Sequence, residues 1–128
     1  MLIHINGQTV CLDTGNLPKY QEDNLGPSFW LSGRKYITYQ DGDMLYMSVF
    51  DTDIVHVWQA CDKIGLNYEE RIISAGFTRI DEDNLEAYGY SSSLKKRSLP
   101  LDSLILEKFV HCLEAKPLDT KFKARNRK

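Results

Sequence analysis

Residues 35–65 read KYITYQDGDMLYMSVFDTDIVHVWQACDKIG, and a change of period inside this stretch decides the fold. Lys35 to Gln40 and Met44 to Phe50 are rich in Tyr, Ile, Val and Met, side chains that fit a pleated surface. Asp41-Gly42-Asp43 between them suits a three-residue hairpin loop. From Asp51 the apolar spacing lengthens: Ile54, Val57, Trp58, Cys61 and Ile64 recur at steps of three and four, the period of one helix face. Asp51 or Thr52 can accept hydrogen bonds from the first free amides, and the helix ends near Gly65. On that phase His56 lies off the buried face and is expected in solvent, while Cys61 is expected in the core.

Similar signals flank this ββα unit. Residues 2–12 place Asn6-Gly7 between two apolar runs, the pair that supplies positive φ angles to a tight hairpin turn. Residues 13–34 hold two prolines and three glycines with little periodicity, and predict one long irregular segment carrying Phe29 and Trp30. Arg71 to Ile80 and Leu85 to Ser91 flank the polar connection Asp81-Glu82-Asp83-Asn84 and predict a third hairpin. Leu101, Leu104, Ile105, Phe109, Cys112 and Leu113 then form a broad apolar stripe, opened by Pro100 and Asp102 and stopped before Pro117. The order ββ-ββ-α-ββ-α predicts an α+β domain: an antiparallel or mixed sheet of about six strands with two helices over one face. The boundaries expected are one domain over 1–115 and a basic, flexible tail over 116–128.

The chain has 128 residues, a formal charge of -2, 42% hydrophobic and 27% charged residues, which excludes wholesale disorder and a fibrous repeat. The charge is unevenly placed. The last thirteen residues hold six basic groups against one acidic, a net of +5, leaving ten basic and seventeen acidic groups, or -7, over residues 1–115. An acidic body disfavours nucleic-acid binding except through the tail. No apolar run approaches the roughly 20 residues of a membrane helix, and no basic start followed by a long apolar stretch opens the chain, so a cytoplasmic location without membrane contact is expected. Cys11, Cys61 and Cys112 are odd in number and far apart, which points to reduced thiols, with Cys61 and Cys112 in the core.

No motif carries a reaction by itself. Asp13-Thr14-Gly15 resembles the aspartic-protease triplet, but such enzymes need two aspartates sharing a proton, and Asp and Gly at a strand end are ordinary turn residues. Asp51-x-Asp53 and Asp81-Glu82-Asp83 lack a calcium-loop pattern and are explained by capping and by a turn tip. His4, His56 and His111 show no metal-ligand spacing. No catalytic side chain, cofactor or metal is therefore assigned.

Lys35-Tyr36 at a strand start, Asp53-Ile54 at a helix start, Arg79-Ile80 before a hairpin tip and Tyr88-Gly89-Tyr90-Ser91 on the returning strand resemble the Janus/Ocnus family of small protein histidine phosphatases. The resemblance covers about residues 35–115, and that family's sheet of about six strands with two helices agrees with the order derived above. The family's catalytic histidine stands two residues before the Asp-Ile pair, where this chain has Asp51, and its triple glycine is reduced to Gly76. The resemblance implies an anion site built from Lys35, the helix-start amides near Thr52, and Ser91 and Ser93, with Asp51 in the place of the catalyst. A lysine, hydroxyls and a helix N-terminus together make an anion cradle.

The expected function is that of a small binding or regulatory protein without catalysis, acting through anion recognition or, as an inhibitor or immunity-like protein, on a protein partner. The alternative is a Janus-like enzyme acting on a phosphorylated substrate. For partner binding the candidates are Phe29, Trp30, Tyr36 and Tyr39, with Tyr20 and Tyr46 nearby, because aromatics concentrate at interface cores. An acidic body would suit a basic partner.

Overall fold

The computed structural model describes residues 1–20 and 25–126, with side chains up to Glu114. The elements are β1 (Leu2–Ile5), β2 (Gln8–Asp13), α1 (Gly26–Leu31), β3 (Lys35–Asp41), β4 (Met44–Phe50), α2 (His56–Lys63), α3 (Tyr68–Arg71), β5 (Ile72–Asp81), β6 (Asn84–Tyr88), β7 (Tyr90–Ser91), β8 (Lys96–Arg97) and α4 (Pro100–Asn126). The fold is α+β, with a six-stranded mixed sheet in the order β1-β2-β4-β3-β5-β6 and a small β7-β8 ribbon. The three expected hairpins form. Asn6 and Gly7 take φ of 52° and 77° between β1 and β2, the left-handed pair such a turn needs. Asp41 pairs with Met44 and Asp81 with Asn84, so the second and third connections are two residues long, tighter than the three and four expected. The one parallel seam joins β2 to β4, Thr9 lying beside Met44.

The two main helices lie on opposite faces of the sheet, not on one as expected. Strand alternation separates two clusters: Leu45, Met47 and Val49 of β4 pack with Tyr36, Leu31 of α1 and Ile105, Leu106, Phe109 and Val110 of α4, while Phe50 packs with Ile37, Tyr39, Ile72, Ala75 and Ala60 of α2. Each fully buried α4 side chain contributes about 1.5 to 3 kcal/mol. Helix α4 also runs past Pro117, where the expected stop would fall, so a proline sits within it at the loss of one backbone hydrogen bond. The expected flexible tail, 116–128, falls on positions whose side chains are not described, and residues 127–128 lie outside the described residues altogether. The irregular segment 13–34 contains the short helix α1, with Pro27 at its start, and its residues 21–24 also lie outside. Among the described residues no helix is long and apolar enough to cross a membrane.

Helix α2 departs most from the expected phase. It begins at His56, and residues 51–55 form a turn closed by the Ile54 amide on the Asp51 carbonyl at 3.2 Å, so neither Asp51 nor Thr52 caps it. Its buried residues are His56, Gln59 and Ala60, whereas Trp58 is 68% exposed and Cys61 is also in solvent. The reason is local polar satisfaction. Gln59 donates to Ser48 Oγ at 2.9 Å and accepts from Asn16 at 2.8 Å, so a face that hydropathy alone assigns to water can be buried without loss.

Candidate functional site: the first turn of helix α2

Register brings the site together. Lys35 opens β3 opposite Phe50 on one side and Phe77 on the other, which sets it beside the turn that leads into α2. Gly89, at φ 90°, breaks the strand between β6 and β7; a Cβ there would stand 2.9 Å from the Phe77 ring, so the position admits only glycine in this conformation. The break turns Ser91–Ser93 toward α2.

At the helix start, the Val57 amide donates to Ser93 Oγ at 3.2 Å. The Ser91 hydroxyl lies 3.5 Å from that of Ser93 and accepts from the Leu94 amide at 3.3 Å. Lys35 Nζ donates to the Ile54 carbonyl at 2.8 Å. Of the five anion-site candidates, Lys35 and Ser93 therefore contact the turn 54–57, and Ser91 reaches it only through Ser93. Asp51 and Thr52 lie in the preceding turn instead, where Asp51 Oδ1 accepts from the Thr52 amide and from Arg34, each at 3.1 Å. The guanidinium, also bonded through Nε to the Trp30 carbonyl at 3.0 Å, offsets the carboxylate that would otherwise repel an anion.

Arg34 escaped the sequence reading, and His56 was placed there on the wrong face. His56, expected in solvent, is 4% exposed, its ring set edgewise between Phe50 and Phe77 at centroid distances of 5.6 and 5.3 Å. Its Nε2 carries the proton and donates to the Gly76 carbonyl at 2.8 Å. Burial, with the charge of Lys35 adding to it, lowers the His56 pKa against the opposing pull of that carbonyl. The unfolded chain thus takes up a proton first as pH falls below about 6.5. Stability is full above that value and declines toward the lower pKa of the folded state. Melting temperatures taken from about pH 7.5 down to 5.5 are expected to fall in the wild type and to fall less in His56→Gln. Equal slopes in the two proteins would show that His56 is not the group responsible.

The other candidates resolve into structure. Asp13 Oδ1 accepts from the Gly15 amide at 2.9 Å, and Oδ2 meets Lys63 at 3.1 Å and Ser48 at 3.2 Å. Burial pushes the carboxyl up, but the Gly15 amide, Lys63 and Ser48 together hold it below its usual range, which suits a structural anchor and not a shared-proton dyad. Tyr36 and Tyr39 are buried on opposite faces, so neither belongs to a partner surface as expected; their rings are consumed by the core and, for Tyr39, by stacking on Tyr46 at 5.1 Å. Trp30 is half-buried against Tyr20, with its Nε1 donating to the Pro18 carbonyl at 3.0 Å, and anchors the segment before β3. Phe29 is 54% exposed. Among the described residues no cluster of metal ligands occurs.

Comparisons with protein-family models, with curated proteins and with solved structures return no match. The Janus-like resemblance therefore rests on the quoted residues alone.

Proposed function

We propose that the protein is a non-catalytic recognition module that captures an anionic group, of the phosphoryl type, at the first turn of α2. The observation that carries this reading is the approach of two distant segments to the turn 54–57 that opens α2: Lys35 at the Ile54 carbonyl and Ser93, with Ser91 beside it, at the Val57 amide. An ammonium, a hydroxyl and backbone N–H groups complement an anion in charge and in hydrogen-bond donors. In the state described, the Ser93 oxygen takes the place over the Val57 amide that an anion oxygen would take. Turnover is not part of the proposal: Asp51, in the position of the resembled family's catalyst, is held by Arg34, and the His56 Nε2 proton is held by Gly76.

Inorganic phosphate tests it. For a dissociation constant of about 1 mM, phosphate at about 10 mM stabilises by roughly 1.4 kcal/mol, a shift of several degrees in melting temperature. Trp58, exposed on the same turn, gives a fluorescence signal for the same titration. Lys35→Ala is expected to abolish both responses, and a wild type that responds to neither would overturn the proposal.

A further inference from the structure

We propose that the outer face of α2 docks the basic carboxy-terminal segment, residues 116–128, of a second copy of this chain; the inference is independent of the anion reading above. Helix α2 is inverted with respect to hydropathy. Its buried side is polar, His56 and Gln59 with Ala60, while Val55, Trp58 and Cys61 stand in solvent. Steps of three set these last residues along one side of the helix. The Trp58 ring meets no other ring and no cation among the described residues. An indole left open in the middle of an apolar strip, on a helix held to the body partly by hydrogen bonds, fits the anchor of an interface.

Charge selects the occupant. Asp53, exposed in the turn before the helix, and Asp62, exposed four residues after Trp58, have no ion-pair partner among the described residues. The cations nearest in the fold are engaged: Arg34 with Asp51, Lys63 with Asp13 and Arg71 with Asp41. An apolar strip with free carboxylates at both ends complements a segment that is basic and carries apolar side chains. Residues 116–128 hold six basic groups against one acidic, with Leu118 and Phe122 four positions apart, a spacing that suits the apolar side of a bound helix. Helix α4, which leads into this segment, packs on the opposite face of the sheet from α2, so the segment meets the strip of another copy and not its own. The charges of +5 on the segment and -7 over residues 1–115 draw unlike parts of two copies together. They oppose contact of one α2 with another, since that would bring like charges face to face.

Sedimentation of the full chain in salt from about 0.05 to 0.5 M tests the docking. Concentration-dependent self-association is expected, weaker at the upper end of that range. Trp58→Ala and the double variant Lys121→Glu/Lys123→Glu should each weaken it about tenfold or more, with melting temperatures near that of the wild type. Mixed together, the two variants should recover association, because each supplies the part the other lacks. A synthetic peptide of residues 116–128 should compete with the association and move the amides of Val55 to Asp62. A chain that stays monomeric throughout, or a peptide that leaves those amides unmoved, would overturn the proposal. Association lost in Trp58→Ala but kept in the tail variant would show that α2 meets α2. Monomers whose Val55 to Asp62 amides shift on reversal of the tail charges would show that each tail docks on its own chain. Either result overturns the tail of a second copy as the occupant.

Discussion

Gly76→Ala is expected to cost about 3 kcal/mol or more, at the upper end of overpacking effects, and to lower the melting temperature by roughly 10 °C. Gly76 lies in the middle of β5, paired with Tyr36 of β3. A Cβ at this position would stand 2.5 Å from the Tyr88 carbonyl oxygen, 3.3 Å from Tyr36 Cε1 and 3.4 Å from Ser98 Cβ. The first of these is backbone in the neighbouring strand, so no rotamer change relieves it; β5 and β6 must part, or β5 must shift. Either movement also disturbs the Gly76 carbonyl that receives the His56 proton, and with it the base of the α2 start. The variant should therefore lose phosphate-induced stabilisation along with thermal stability. Thermal and urea denaturation check the first effect, and a melting temperature within a few degrees of wild type would show that the sheet accommodates the methyl group.

Asp102→Ala is expected to remove about 3 kcal/mol through the loss of one buried hub. Asp102, in the first turn of α4, is 2% exposed. Its Oδ2 accepts from the Tyr36 hydroxyl at 2.5 Å and from the Leu99 amide at 2.9 Å, so one oxygen joins the central strand to the helix and caps the helix. Burial, then the charge of Asp102, raises the Tyr36 pKa above its usual value, which keeps the phenol a proton donor to the carboxylate. With alanine, a buried hydroxyl and a helix-start amide lose their acceptor together. Tyr36→Phe keeps the ring and leaves the carboxylate with the amide, and should cost less, about 1 to 3 kcal/mol. A double-mutant cycle measures the pair directly: coupling near zero would mean that the short contact contributes only geometry.

What the sequence made legible follows from the range of each signal. Asn6-Gly7 and the apolar stripe of α4 depend on neighbours a few residues away, and the hairpins and helix they predict are present. The α2 phase failed because His56 and Gln59 are buried by partners at positions 76, 48 and 16, which no local window sees. Tyr36 and Tyr39 read as surface aromatics for the same reason, since only strand pairing shows that both faces of β3 are covered. Lys35, Ser91 and Ser93 were singled out through a family resemblance; strand pairing sets Lys35 beside α2, and the approach of Ser93 follows the Gly89 break, a backbone feature. Arg34, next to Lys35, offered a charge but no hint that Asp51 would receive it.

The seam between β2 and β4 carries a consequence for assembly. Each hairpin closes over two residues, whereas Thr9 and Met44 meet only after a long excursion of chain, so their loop-closure entropy is offset late. The amino-terminal hairpin is thus expected to dock on a preformed four-stranded nucleus and to be the first piece to peel away, taking with it the Asp13–Lys63 and Asn16–Gln59 contacts that steady α2.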